Sequence, residues 1–244
     1  MRVKITVQYL GTHYCGWQLQ KGHTTVQQVL EDALFKALGE KCITFASGRT
    51  DAGVHAWGQV AHFDTTTKIK ADKIAYAVNR FLPNDVQIIN STEVTDDFNA
   101  RFDVKQKTYE YNFYSSITDF PLLSETYARV RTDFDFLRAN QNLEAFLGTH
   151  DFKGFCSINT QTSNTVRTIY SIKLVELGEK KYKLTITGNG FLYNMVRIIA
   201  GTIIFMGYGK IDPKSLPDII NSKVRNRAGK TASAKGLTLK SVEY

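Results

Sequence analysis

Ile43-Thr44-Phe45-Ala46-Ser47-Gly48-Arg49-Thr50-Asp51-Ala52-Gly53-Val54-His55-Ala56-Trp57-Gly58-Gln59-Val60-Ala61-His62-Phe63-Asp64 sets two strand-like runs around a loop dense in glycine and charge. Ile43 to Ser47 and Gln59 to Asp64 read as strands, and Gly48 to Trp57 as the loop between them. Working backwards, Val3, Ile5, Val7 and Tyr9 alternate with polar residues, which predicts a half-buried strand ending near Leu10. Val26, Val29, Leu30, Ala33, Leu34, Ala37 and Leu38 then recur at three-and-four spacing, the stripe of an amphipathic helix. Thr25 followed by Gln28 predicts a capping box at its start. Working forwards, Ala71 to Phe81 reads as a second helix and Val86 to Val94 as a strand. The first half is thus strand–helix–strand–strand–helix–strand.

A comparable order follows. Lys107 to Tyr114 alternates tyrosines with polar residues, and Asp133 to Leu147 is amphipathic. Thr165 to Val175 with Lys181 to Thr187 predicts a hairpin. Phe191 to Met206 is apolar nearly all round, so it predicts a buried helix. The pattern implies an α+β fold of two modules, 1–100 and 101–244, rather than alternating parallel βα units. No linker rich in Pro, Gly or Ser divides them, so their sheets are expected to join as one continuous, mainly antiparallel sheet with a cleft between the modules.

At 244 residues and 43% hydrophobic composition, the chain has enough apolar material for a substantial core. Lys and Arg outnumber Asp and Glu by 31 to 23, which permits a polyanionic partner. The stretch from Lys223 to Lys240 is the most basic. Cys15, Cys42 and Cys156 show no metal-ligand spacing and read as reduced thiols. The opening MRVKITVQYL lacks the layout of a signal peptide, and the longest apolar run, Ile198 to Met206, is too short to span a bilayer. A cytoplasmic protein with no membrane association is expected.

The loop GRTDAGVHA, Gly48 to Ala56, has two readings. It is a tight turn, since glycine permits positive φ and Asp bonds nearby amides, or it is a site. Arg197 bears on the choice, being the one charged residue in the apolar segment Phe191 to Met206. A guanidinium keeps its charge, so if it is buried it needs a carboxylate, and Asp51 is the candidate; otherwise it snorkels to solvent. An ion pair of that kind would keep Asp51 ionised and oriented, as a carboxylate nucleophile requires. Periodicity alone reads Tyr109, spaced with Tyr111, as a core or cross-strand tyrosine.

GRTDAGVHA resembles the signature of the tRNA pseudouridine synthase A (TruA) family, and the likeness extends along the chain. Tyr9-Leu10-Gly11 with Gly16-Trp17-Gln18-Leu19-Gln20 is similar to the family's opening segment. Phe98-Asn99-Ala100-Arg101-Phe102 and Lys107-Thr108-Tyr109-Glu110-Tyr111 resemble its central strand region. Gly148 to Phe152, Thr165 to Ile169 and Gly190-Phe191-Leu192-Tyr193-Asn194-Met195-Val196-Arg197 resemble its C-terminal motifs. The resemblance implies the pseudouridine synthase fold, a cofactor-free and metal-free enzyme, and a homodimer that binds tRNA. It implies modification of uridines in the anticodon stem-loop, at tRNA positions 38 to 40.

By the same resemblance Asp51 is the nucleophile, Tyr109 stacks on the uracil and Arg197 pairs with Asp51. Arg49 fills the gap left by the extruded uridine, and Thr50 and His55 accompany it as substrate-binding residues. Two departures touch substrate range rather than reaction class: Leu10 stands where the family carries Asp, and Ser233-Ala234-Lys235 where it often carries Ala-Pro. Two other classes remain. A non-catalytic RNA binder of RRM-like modules lacks its RNP1 pattern here, and a metal-dependent nuclease lacks its clustered acids.

Overall fold

The computed structural model describes residues 1–157 and 162–244. The chain divides into two compact units, the first made of residues 1–105 and the second of 106–237, after which residues 238–244 return to the first.

The first unit begins with β1 (Arg2–Tyr9), whose Val3, Ile5, Val7 and Tyr9 are buried on one face as their alternation predicts. Helix α1 (Val26–Leu38) starts where Thr25 accepts from the Gln28 amide and stops at Gly39 in the left-handed region (φ 74°). The strand expected over Ile43 to Ser47 shrinks to β2 (Phe45–Ala46), with Ile43 and Phe45 more than half exposed. β3 (His55–Asp64) starts four residues earlier than expected, which confines the loop to Ser47–Val54. Helix α2 (Ala71–Asn79) packs on β4 (Val86–Val94), and Asn79 bonds both backbone groups of Ile88. That clasp sits beside the register shift between β1 and β4 at Thr6/Val7.

In the second unit, β5 (Gln106–Ser115) pairs with β6 (Ala128–Val130) in parallel and with β9 (Lys181–Gly188) antiparallel. The amphipathic segment Asp133 to Leu147 is not one helix: α3 (Phe136–Ala139) ends early, and Asn142 at φ 59° turns the chain into a 3₁₀ turn, Leu143–Phe146. β7 (Gly148–Asp151) and the hairpin of β8 (Val166–Gly178) and β9 (Lys181–Gly188) follow. Glu179 and Lys180, both at positive φ, make the hairpin turn, whose hand matches the twist of the strands. Helix α4 (Met195–Gly207) is buried on all sides but Arg197 and Phe205, and α5 (Leu216–Ser222) follows it. The helix starts at Met195 rather than Phe191 because Asn194 adopts φ 61°, which no helical residue can hold.

β10 (Leu237–Glu243) then completes the first unit, whose strand order is β4-β1-β3-β10. It lies parallel to β3, Thr238 opposite His55 and Leu239 opposite Ala56. The order in the second unit is β5-β9-β8-β7. Both units are α+β with mainly antiparallel sheets. Among the described residues no helix is long and apolar enough to cross a membrane.

Candidate active site

The loop between β2 and β3 sorts its residues sharply by exposure. Arg49 and Ala52 are exposed, Asp51 is half-buried, and Thr50 is buried. A turn closes the loop: the Val54 amide donates to the Asp51 carbonyl (3.1 Å), and Gly53 sits at φ 77°, a conformation that glycine reaches without strain.

Polar groups brought from elsewhere pin this turn. Thr50 Oγ1 lies 2.8 Å from the hydroxyl of Tyr9, itself buried at the end of β1. Gln59, fully buried on β3, donates to the Gly48 carbonyl (2.9 Å) and accepts from Ser47 Oγ (2.7 Å). Burial drives the Tyr9 phenol well above its ordinary range, so it stays protonated and keeps its hydrogen bond. The segment after β1 backs the turn: the Trp17 amide donates to the Thr50 carbonyl (3.1 Å) and the Gly53 amide to the Tyr14 carbonyl (3.3 Å). A β-carbon at Gly16 would stand 2.4 Å from the Thr50 carbonyl oxygen, and one at Gly11 2.0 Å from that of Val54. Only glycine lets the two segments approach so closely.

His55, expected among the substrate contacts, is 2% exposed and accepts from the Gly11 amide through Nδ1 (2.9 Å). It thus supports the backbone that leads into the turn. Thr50, expected beside it among the substrate contacts, has its hydroxyl buried against Tyr9.

In the second unit, Tyr109 lies on β5 with its ring edge-on to Phe191 (5.2 Å between centroids, 87°). Its β5 neighbour Tyr111 is fully buried, and burial raises its phenol while the Arg197 guanidinium acts in the opposite sense. Arg197 is half-buried at the first turn of α4. It donates from Nε to the Ala232 carbonyl (2.8 Å) and from Nη1 to Asn194 Oδ1 (2.7 Å). Asn194 in turn donates to Ser157 Oγ (2.8 Å), which explains why its side chain does not cap the helix. These two bonds help to fix the orientation of the guanidinium.

The sequence profile of a family described as tRNA pseudouridine synthase matches residues 5–103 and 143–244. The chain belongs to the tRNA pseudouridine synthase family. It is 43% identical to "tRNA pseudouridine synthase A" of Ruminiclostridium cellulolyticum over all of this chain and 99% of that one. Identity is 46% with the protein of the same name from Acetivibrio thermocellus, over 99% of each chain. It is 44% with "tRNA pseudouridine synthase A 1" of Bacillus cereus, over all of this chain and 98% of that one. The resemblance read from GRTDAGVHA and from Phe191 to Arg197 is thus borne out, and the chain is a tRNA-modifying isomerase of this family.

Within this tRNA pseudouridine synthase, Arg49, Thr50, Asp51 and His55 share one pinned turn of the first unit, and Tyr109 and Arg197 belong to the second. Tyr9, Gln59, Asn194 and Ala232, which orient those residues, were not singled out for that role by the sequence. Their partners lie up to 41 residues away, a distance at which periodicity carries no signal.

Proposed function

We propose that the enzyme converts uridine to pseudouridine in the anticodon stem-loop of tRNA, at positions 38 to 40, with Asp51 as nucleophile. The carrying observation is the pinned turn, in which exposed Arg49 and half-buried Asp51 flank a Thr50 anchored to Tyr9. A carboxylate held on so rigid a turn is pre-organised for attack.

A uridine stacked in a stem is out of reach, so it leaves the stack, and Arg49 takes the vacancy with a planar cation that also meets phosphate. Tyr109 lies against the uracil face. The Asp51 carboxylate adds to the sugar at C1′ or to the base at C6, the N1–C1′ bond breaks, the base turns, C5 bonds to C1′, and the bond to Asp51 breaks to restore the carboxylate. The proton leaving C5, relayed through the Tyr109 hydroxyl, is balanced by one gained at N1. Substrate and product are isomers, so no oxidant or activated phosphate takes part. Arg197 pairs with the Asp51 carboxylate and keeps it ionised. Thr50 and His55 act through the turn that they hold.

Mass-spectrometric mapping of unmodified tRNA after incubation tests this. Wild-type protein is expected to yield pseudouridine within the anticodon stem-loop, and Asp51→Ala none, while still binding tRNA. Conversion by Asp51→Ala would remove the nucleophile assignment, and conversion confined to another arm of the tRNA would remove the site assignment.

We also propose that the working species is a homodimer in the cytoplasm. Ile117 and Leu122 of the second unit, 82% and 97% exposed, supply apolar surface for such an interface. Light scattering is expected to give twice the chain mass of 27.6 kDa.

A further inference from the structure

The Lys and Arg side chains of the most basic stretch of the chain have no role in the chemistry above. From Lys223 to Lys240 there are six Lys and Arg and no acid. In the second unit this stretch walls an open groove of about 580 Å³, lined also by Ser157 and Tyr193. Lys223 is paired with Asp151 (2.8 Å), but Arg225 is not so compensated. Its guanidinium donates to the Gly229 carbonyl (2.9 Å) and to Thr231 Oγ1 (3.2 Å), and among the described residues it meets no carboxylate. Partial burial lowers its proton affinity, so a charge is being held in place at some cost. Lys230 is exposed beside it, and the Tyr193 ring is 49% exposed on the same groove.

The groove is rigid. Residues 229–232 are clamped on α4: the Gly229 amide donates to Thr202 Oγ1 (2.9 Å), and a β-carbon at Gly229 would come within 2.5 Å of Gly201. The same strap holds Arg197, through the Ala232 carbonyl and through the Ala232 amide's bond to the Arg197 carbonyl (3.0 Å). The other wall reaches Arg197 too, since the Ser157 amide bonds the Tyr193 carbonyl and Ser157 Oγ accepts from Asn194.

A fixed, uncompensated guanidinium, a free-standing ammonium and an exposed aromatic face suit one chemistry, an unstacked nucleotide. We propose that this groove binds a nucleotide of the tRNA strand other than the reacting uridine, Arg225 and Lys230 taking a phosphodiester and Tyr193 stacking on a base. The proposal rests on the tRNA-modifying reading.

The test titrates unmodified tRNA against wild type, Lys230→Gln, Arg225→Gln/Lys230→Gln, Tyr193→Phe and Tyr193→Leu across a salt series, with KM and kcat alongside. Each lost phosphate contact is expected to flatten the slope of log affinity against log salt by about 0.7–0.9. Tyr193→Leu is expected to weaken binding by at least about fivefold without changing that slope, while Tyr193→Phe, which keeps the ring, restores it. The losses fall on KM rather than kcat. Arg225 also bonds the strap, so Lys230→Gln, whose side chain is exposed, decides the matter. A slope and affinity for Lys230→Gln equal to wild type at equal thermal midpoint, or equal loss in Tyr193→Phe and Tyr193→Leu, would overturn the proposal. If wild type makes no pseudouridine yet these variants lose tRNA, the reaction assignment fails and the groove stands. If wild type makes pseudouridine and the variants bind unchanged, the groove alone fails.

Discussion

At Gly16 and Gly22 the backbone takes almost the same left-handed turn, φ 81° and 80°, but the surroundings differ. A β-carbon at Gly22 meets nothing within 4 Å, whereas at Gly16 it meets the Thr50 carbonyl at 2.4 Å and the Asp51 carbonyl carbon at 3.2 Å. Gly22→Ala therefore incurs backbone strain alone, about 1–2 kcal/mol. Gly16→Ala adds a collision that displaces the Asp51 turn, so it is expected to lose more thermal stability and to slow single-turnover pseudouridine formation at least about tenfold. Equal rates in the two variants would show that the close approach is irrelevant to the chemistry. His62 is a second case in which one residue sets a measurable property. It is 3% exposed, stacks on Phe45 (5.2 Å) and accepts from the Ala100 amide through Nδ1 (3.1 Å), all of which suit the neutral ring. Burial first, and the Arg2 charge second, lower its pKa from the ordinary 6.5. Below that pH the unfolded chain binds a proton that the folded chain does not, so stability falls as pH falls. Thermal midpoints measured from about pH 7.5 to about pH 5.5 should drop more steeply for wild type than for His62→Gln, and parallel curves would assign the drop to other groups.

Helix α4 shows how one element can be legible in outline and misread at its ends. Its apolar circumference announces burial, and eleven of its thirteen residues are indeed buried. Its start depends on Asn194, whose side chain is engaged by Ser157 and Arg197, contacts 37 and 3 residues distant. Its glycines are likewise explained only by neighbours. Alanine in a helix interior is favoured over glycine by about 1 kcal/mol, so propensity alone would make Gly201→Ala stabilising. A β-carbon there would stand 1.7 Å from the Lys230 carbonyl oxygen, a backbone atom that cannot rotate away. The collision is expected to win: Gly201→Ala should lower the thermal midpoint and, by shifting the strap on Arg197, depress kcat more than tRNA affinity. A midpoint above that of wild type would show that propensity dominates. Alternation gave β1 almost to the residue, because a half-buried strand writes its exposure into its own sequence. β2 and the segment from Asp133 to Leu147 were overread, because apolar residues there serve exposed or turning backbone.

Across the whole chain, the feature least visible in sequence is that the first unit ends with the last strand. A split near residue 100 follows from repeated element order, whereas β10 belongs with β3, about 180 residues earlier in the chain, a pairing that only three-dimensional packing decides. β10 matters because of where it lies. Thr238 and Leu239 are 5% and 1% exposed and sit opposite His55 and Ala56, the first residues after the Asp51 turn. Further along, Glu243 accepts from the Lys105 amide (2.9 Å), and Tyr244 donates its hydroxyl to the Ala100 carbonyl (2.8 Å) while packing on Phe98 (5.0 Å). Removing residues 238–244 would expose the β3 edge and strip the turn of its backing strand, with unpaired backbone groups left at both ends. A chain ending at Leu237 is therefore expected to exchange the amides of residues 55–58 faster than wild type by at least about tenfold, and to melt at lower temperature. Because the groove residues of the second unit remain, its loss of pseudouridine formation should exceed its loss of tRNA binding. Hydrogen exchange followed by mass spectrometry reads the first effect directly. Protection at residues 55–58 equal to that of the full chain would mean that the turn carrying Asp51 is held by β1 and the Gly11–Trp17 segment alone, and that the returning strand contributes nothing to the site.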